Sequence, residues 1–378
     1  YYELYFKKQN KLDFTTQDYL DLQVWFNLAW IDPSFRLKMP ELKSLMAKAR
    51  FFSEEDKHLL LDKQLVILEE IIPSYKRFSC GNQVELSVTP YYHPILPLLY
   101  STNTAKEANQ GSFLPKNEFR FPEDVQAQVE GAVGFYEERF NQAPLGMWPS
   151  EESVSEHILP YIINAGIKWI VTDEAILFKS LNKKKRNTKL LYQPYLLSRK
   201  EGPLHIVFRD RNLSDLIGFL YHSWKAEAAV ADFMQHLNNI NRAFKAEDTL
   251  VTIAMDGENA WEYYENDGHD FLELLYQRLS ESDFIKTTTV SEYLNTHPAK
   301  TKIKHLCAGS WIYGNFNKWM NHPAKAKAWG WLLEAREELE KLKKNLAPEK
   351  LSLAKKQIYI AEGSDWFWWY GEDPDGSF

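Results

Sequence analysis

Two short segments hold acids where they can do chemistry. Gly146-Met147-Trp148-Pro149-Ser150-Glu151-Glu152-Ser153 and, about a hundred residues on, Ala254-Met255-Asp256-Gly257-Glu258-Asn259-Ala260-Trp261 each set a carboxylate beside tryptophan at what reads as a strand end. Breaking an acetal needs one carboxyl group to protonate the leaving oxygen and another to stabilise or trap the oxocarbenium-like centre. Glu151 and Asp256 suit those two roles. The bland alternative is a pair of exposed acids near helix starts, since Ser150 and Glu151 also stand where a helix begins.

The surrounding composition favours a sugar. The chain has 13 Trp, 20 Tyr and 22 Phe, 15% of its residues. Such rings mostly fill cores, but tryptophans gathered around acids have a second use. A pyranose ring stacks its C–H face on an aromatic plane while its hydroxyls bond to Asp, Glu, Asn and Arg. The net charge of -7 leaves no basic footprint, so nucleic acid is excluded as a partner. Cys80 and Cys307 are too few for a disulfide framework and read as buried reduced thiols. The ten histidines are scattered without ligand spacing, so neither a metal nor a cofactor is expected. No apolar run approaches the roughly 20 residues that span a bilayer, and the first residues lack a signal peptide's pattern. A soluble, cytoplasmic protein with no membrane partner is the expectation, and nothing in the sequence sets an oligomeric state.

The elements that must position these residues alternate. Helical periodicity covers 18–28, 54–72, 122–140, 153–165 and 223–244, and strands are expected over 83–88, into Trp148, and over 168–172, 205–208 and 249–255. Such alternation predicts an α/β parallel sheet, open or closed into a barrel, with functional residues beyond the carboxyl ends of the strands. Glu85, Glu151, Asp173, Arg209 and Asp256 all fall there in this reading. After about residue 295 the pattern turns helical, including 323–346 and 348–360. Asn182–Lys189 reads as a solvated loop and Asn266–Asp270 as a turn.

The two acidic segments, with Gly81-Asn82-Gln83-Val84-Glu85-Leu86, Tyr91-Tyr92-His93-Pro94, Trp169-Ile170-Val171-Thr172-Asp173-Glu174, Phe208-Arg209-Asp210-Arg211-Asn212-Leu213-Ser214-Asp215, Gly309-Ser310-Trp311-Ile312-Tyr313-Gly314-Asn315 and Gly363-Ser364-Asp365-Trp366, resemble family 57 of the glycoside hydrolases. The likeness is strongest to its α-amylase and amylopullulanase-like members. The resemblance implies a (β/α)7 barrel with a helical C-terminal region, retaining chemistry on α-glucans such as starch or glycogen, and no catalytic metal. Carried over position by position, it makes Glu151 the nucleophile and Asp256 the acid/base. Family members carry a His-Gln-Pro-type segment on the first barrel strand. Nothing like it precedes Tyr1, so an incomplete barrel is expected, with residues 1–295 forming the barrel and a helical insertion, and 296–378 a helical subdomain.

Around that pair, His93 and Glu85 are expected to line the subsite next to the bond cut, and Arg209 with Asp173 to form a network holding Glu151. Trp148, Trp261 and Trp311 are the candidate stacking platforms, and Glu258 a further substrate contact. Of Trp366, Trp368 and Trp369 at least one is expected to reach the cleft, flanked by Glu362 and Asp365 as hydroxyl acceptors. Hydrolysis, transglycosylation or branching, and a non-catalytic glucan-binding protein with an incomplete site all remain open at this stage, as does preference for α-1,4 or α-1,6 linkages.

Overall fold

Reciprocal capping starts two of the helices that precede the sheet. Thr15 accepts from the Asp18 amide at 3.1 Å while Asp18 accepts from the Thr15 amide at 2.8 Å. Ser53 and Asp56 repeat the exchange at 3.3 and 2.8 Å, satisfying amides that a helix start leaves orphaned. The helices Thr16–Ala29 and Glu54–Cys80 then bury Val24, Leu28 and Leu60 with Leu42, Leu45 and Phe52. The computed structural model describes residues 2–81, 83–245, 248–257 and 260–371. It divides into two compact units, of which this is the first: residues 1–83, 221–230 and 257–277.

The second unit, residues 84–220, 231–256 and 278–378, contains the sheet. Its strands are β1 (Gly146–Met147), β2 (Trp169–Asp173), β3 (Tyr195–Arg199), β4 (Gly202–Arg209) and β5 (Thr301–Lys302), in the order β1-β2-β4-β3-β5. β1, β2 and β4 are parallel, β3 runs antiparallel to β4, and β5 is parallel to β3. Single parallel bridges, Val88 to Met147 and Arg209 to Thr252, extend the parallel run on both sides. Alternation along the strands sorts the side chains. Ile170, Ile206 and Phe208 face the main core, whereas Val171 and Val207 join Ala254 in a small cluster on the other face. Asp173 and Arg209 continue that second face to the carboxyl ends of β2 and β4, where they are paired in register.

The C-terminal helices share the sheet's core through Trp329, Leu332, Leu333 and Phe367. Arg336 on the Pro323–Leu342 helix makes a two-pronged pair with Asp124 on the Pro122–Phe140 helix, at 2.7 and 3.1 Å. Residues on both sides of 295 thus share one compact unit. The two units divide between the N-terminal helices, joined by 221–230 and 257–277, and the sheet.

Two expected strands are reduced to single bridges. Residues 83–88 pair only at Val88, whose amide reaches Gly146 O at 3.1 Å, and residues 249–255 only at Thr252. Both segments border the parallel run, so neither is held along its length. The expected helix 153–165 is a short 3-10 turn, Glu156–Ile158, followed by Leu159–Asn164. Both cysteines are free, and Cys80 is exposed rather than buried. In residues 182–189 only Arg186 is drawn inward, onto Glu174 at 2.8 Å and Asp210 at 2.8 Å.

Gly146 shows why β1 begins with glycine. A Cβ there would lie 2.0 Å from the Trp169 ring. Gly146→Ala is expected to destabilise the protein by about 3 kcal/mol, because ring or backbone must shift in a filled space. A urea midpoint unchanged from the wild type would contradict this.

Candidate active site

Glu151 and Glu152 sit just beyond β1, both in the left-handed region, with φ of 56° and 52°. Neither is glycine, and such backbone costs of order 1–3 kcal/mol per residue unless the surroundings fix it. Here they do. The Glu152 amide bonds to Pro149 O at 2.7 Å, Thr172 Oγ1 donates to Glu152 O at 2.6 Å, and the Trp311 amide donates to Glu151 O at 3.2 Å. Val154 and Gly309 close an antiparallel bridge just behind. The strained turn aims the Glu151 side chain at Trp311, whose indole Nε1 donates to Glu151 Oε2 at 2.7 Å.

Trp311 owes its place to a loop that only glycine allows. Gly309 has φ of 156°, and a Cβ on it would lie 2.6 Å from Gly314 O. The Arg209 guanidinium stands over the Trp311 ring at 4.8 Å from its centroid. Arg209 is buried and spends its donors inward: Nε to Asp173 Oδ2 at 2.9 Å, Nη1 to Ala254 O at 3.2 Å, and Nη2 beside Asp215 Oδ1 at 3.1 Å. Arg211 adds a second grip on Asp173, Nε to Oδ2 at 3.2 Å and Nη2 to Oδ1. Asp173 also caps the following helix through the Ala175 amide at 2.8 Å. One guanidinium thus ties together β2, β4, the segment leading to Asp256, and the tryptophan that holds Glu151.

Glu152 lies fully buried beside this network. Burial pushes its carboxyl well above the usual carboxylate range, opposed by Arg209 and reinforced by the charges of Asp173, Asp256 and Glu151. Glu151 and Asp256 are thus both within electrostatic reach of Glu152. Arg209 Nε stands 3.7 Å from Glu152 Oε2, a long ion pair, and among the described residues no hydrogen bond reaches either carboxyl oxygen, so little offsets the cost of burying its charge. Asp215 is also raised by burial, with Arg209 pulling it down.

The raised Glu152 carboxyl has a signed consequence for stability. With its folded pKa above the ordinary 4.5, the folded protein retains a proton that the unfolded chain releases. Its contribution to stability is present below the ordinary value and lost as pH rises toward the folded one. Glu152→Gln keeps the shape and has no proton to lose. Its melting temperature relative to wild type is expected to rise as pH climbs from the ordinary 4.5 toward the raised folded value. A fall over that range would mean that Glu152 is ionised against Arg209.

The other expected site residues scatter. Glu85 is on the wrong side of the sheet: Oε1 accepts from Trp169 Nε1 at 2.9 Å, at the amino end of β2, and Oε2 accepts from the Ser291 amide at 2.9 Å. The five residues of β2 separate it from Asp173 by about 13 Å. Its role is to cap the Val290–Thr296 helix, so the subsite contact expected of it is corrected. His93, in left-handed backbone at φ 57°, follows Val88 on the carboxyl side and bonds through Nδ1 to Ser364 Oγ at 2.9 Å. That turn presents Asp365 and Trp366, both exposed, with Trp366 Nε1 bonded to Ala361 O at 2.9 Å.

Trp369 is 75% exposed, while Trp368 packs on Trp319. Glu362 is buried and bonded to Gln128 at 2.8 Å, which corrects its expected role as a hydroxyl acceptor. Trp148, half-buried, packs on Val171, Val207 and Ala254, the small cluster on the face that Asp173 and Arg209 continue. Trp261 belongs to the first unit, where it packs on Tyr264 and over Gly268. Glu258 lies outside the described residues. Glu152, Arg211 and Asp215 were missed; the run of alternating charge in Arg209-Asp210-Arg211 was the available signal for Arg211.

Known proteins share the sequence pattern and the fold of this chain. The profile of glycosyl hydrolase family 57 matches residues 1–305. Alpha-amylase 1 of Dictyoglomus thermophilum is 25% identical over 298 residues, which is 76% of this chain and 36% of the relative; the chain spans about a third of that protein's length. Among solved structures, the GH57-type branching enzyme of Pyrococcus horikoshii superposes with a TM-score of 0.66 at 16% identity, covering 92% of this chain and 71% of that one. The alpha-amylase AmyC of Thermotoga maritima gives 0.62 at 15% identity, covering 93% and 74%. The likeness identifies the sheet as an incomplete (β/α)7 barrel followed by a helical C-terminal region.

Proposed function

Since the chain belongs to glycosyl hydrolase family 57, we propose that it cleaves α-glucans with retention of anomeric configuration, Glu151 acting as nucleophile and Asp256 as acid/base. The observation that carries this reading is the hydrogen bond from Trp311 Nε1 to Glu151 Oε2, which fixes a carboxylate on a strained turn at the carboxyl end of a parallel sheet. A carboxylate held by a directed N–H donor is oriented for attack.

In the first step a Glu151 oxygen bonds to the anomeric carbon, the glycosidic C–O bond breaks, and the proton of Asp256 passes to the leaving oxygen. Water then adds to the anomeric carbon, Asp256 takes its proton, and Glu151 leaves as carboxylate. Interception of the same glycosyl-enzyme by a sugar hydroxyl gives transfer or branching, and relatives named as amylases and as branching enzymes share this fold. Starch, glycogen and their oligosaccharides are the substrates proposed.

The stereochemistry tests the mechanism. Maltooligosaccharide hydrolysis followed by NMR is expected to show the α-anomer of the new reducing end first. The β-anomer first would overturn retention and with it the nucleophilic role of Glu151.

A further inference from the structure

Beyond the carboxylates, one exposed ring is built into the same assembly. Phe219 is 50% exposed, yet its ring lies parallel to Trp311, with 11° between planes and 6.2 Å between centroids. It rides on a single π-helical turn, Leu216–Leu220, a rare conformation that recurs at functional sites. That turn is fixed around the site. Asp215, immediately before it, meets Arg209 at 3.1 Å, and Ser214 Oγ accepts from the Ala254 amide at 3.1 Å. Gly218 lies against the Met255 methyl, one residue before Asp256. Phe219 is therefore tied on one side to the indole that holds Glu151 and on the other to the segment that delivers Asp256.

We infer that Phe219 is a stacking platform for a pyranose ring of the glucan chain, at a subsite bordering Glu151 and Asp256. A ring kept half in solvent on an anchored turn offers an apolar face at little ordering cost, and the C–H face of a glucose unit is its natural complement. Trp311 and Phe219 divide the labour: the indole spends its N–H on Glu151, and the half-exposed phenyl supplies apolar surface. This inference rests on the α-glucan reading above.

The test is calorimetric binding of a maltooligosaccharide in a Glu151→Gln background, where no turnover interferes. Adding Phe219→Ala is expected to weaken binding about tenfold, equivalent to about 1.4 kcal/mol. Phe219→Trp is expected to restore it to within about threefold. In the active enzyme the same change should appear in KM. Unchanged affinity in Phe219→Ala, or no restoration by Trp, overturns the platform while leaving the glucan reading intact. A role confined to shielding Trp311 would instead lower kcat and move the pH profile with KM unaltered, and it also overturns the platform. Failure of the Glu151→Gln protein to bind any maltooligosaccharide overturns the glucan reading and the platform together.

Discussion

Glu151→Gln is expected to lower kcat by on the order of 10^4-fold or more while leaving the fold intact. The amide oxygen of Gln still accepts from Trp311 Nε1, so the turn over Glu151 and Glu152 keeps its ties to Trp311 and Thr172. What disappears is the negative charge and the nucleophilic oxygen, and no neighbouring acid is placed to replace them. Asp173 is held by Arg209 and Arg211, and Glu152 is fully buried with its carboxyl pushed well above the usual range. Asp256→Asn is expected to fall by roughly 10^2–10^4-fold, the usual worth of general acid–base catalysis. An aryl glucoside with a good leaving group needs no proton, so it should recover the first step in Asp256→Asn and not in Glu151→Gln. Steady-state and burst kinetics on both substrates check this, and full activity in either variant would sink the assignment.

Arg209→Met carries the largest expected loss of stability, about 3–5 kcal/mol, the cost of removing one member of a buried ionic network. Arg209 is almost entirely buried, and its donors engage Asp173, Asp215 and the Ala254 carbonyl while its plane covers Trp311. Without it, the Asp173 charge is left to Arg211 alone at a more exposed position, and Asp215 loses its cation. Lysine cannot reproduce the fork, so Arg209→Lys should fall between the two. The loss should be larger at neutral pH than in mild acid, because burial raises the Asp215 carboxyl and mild acid protonates that partner first. Denaturant titrations measure this directly, and a loss below about 1 kcal/mol would show that the network contributes orientation alone.

Glu151, Asp173 and Arg209 were legible because their position depends on one local fact, that each follows a run of buried strand residues. The same rule misplaced Glu85. Its alternating segment pairs at Val88 alone, so Glu85 precedes the sheet instead of ending a strand. Which edge of a sheet a residue occupies is decided by its partner, here Gly146 and Met147, and no local pattern names that partner. Tryptophans were the least readable. Trp148, Trp261 and Trp311 have the same composition around them, yet one lies half-buried against Val171, Val207 and Ala254, one packs over Gly268, and one holds Glu151. Phe219 carried no signal, since a π turn has no periodicity to detect. The break between the units escaped notice because residues 221–230 and 257–277 join the N-terminal helices from far along the chain.

The central claim is that a glycosyl group passes through Glu151. Incubation with a slowly turned-over fluorinated α-glucosyl fluoride, followed by proteolysis and tandem mass spectrometry, reads the site of attachment. The expected result is one hexosyl-modified peptide with the ester on Glu151 and none on the adjacent Glu152. A label on Glu152 or Asp173, or an unlabelled protein that releases product of inverted configuration, would contradict the account.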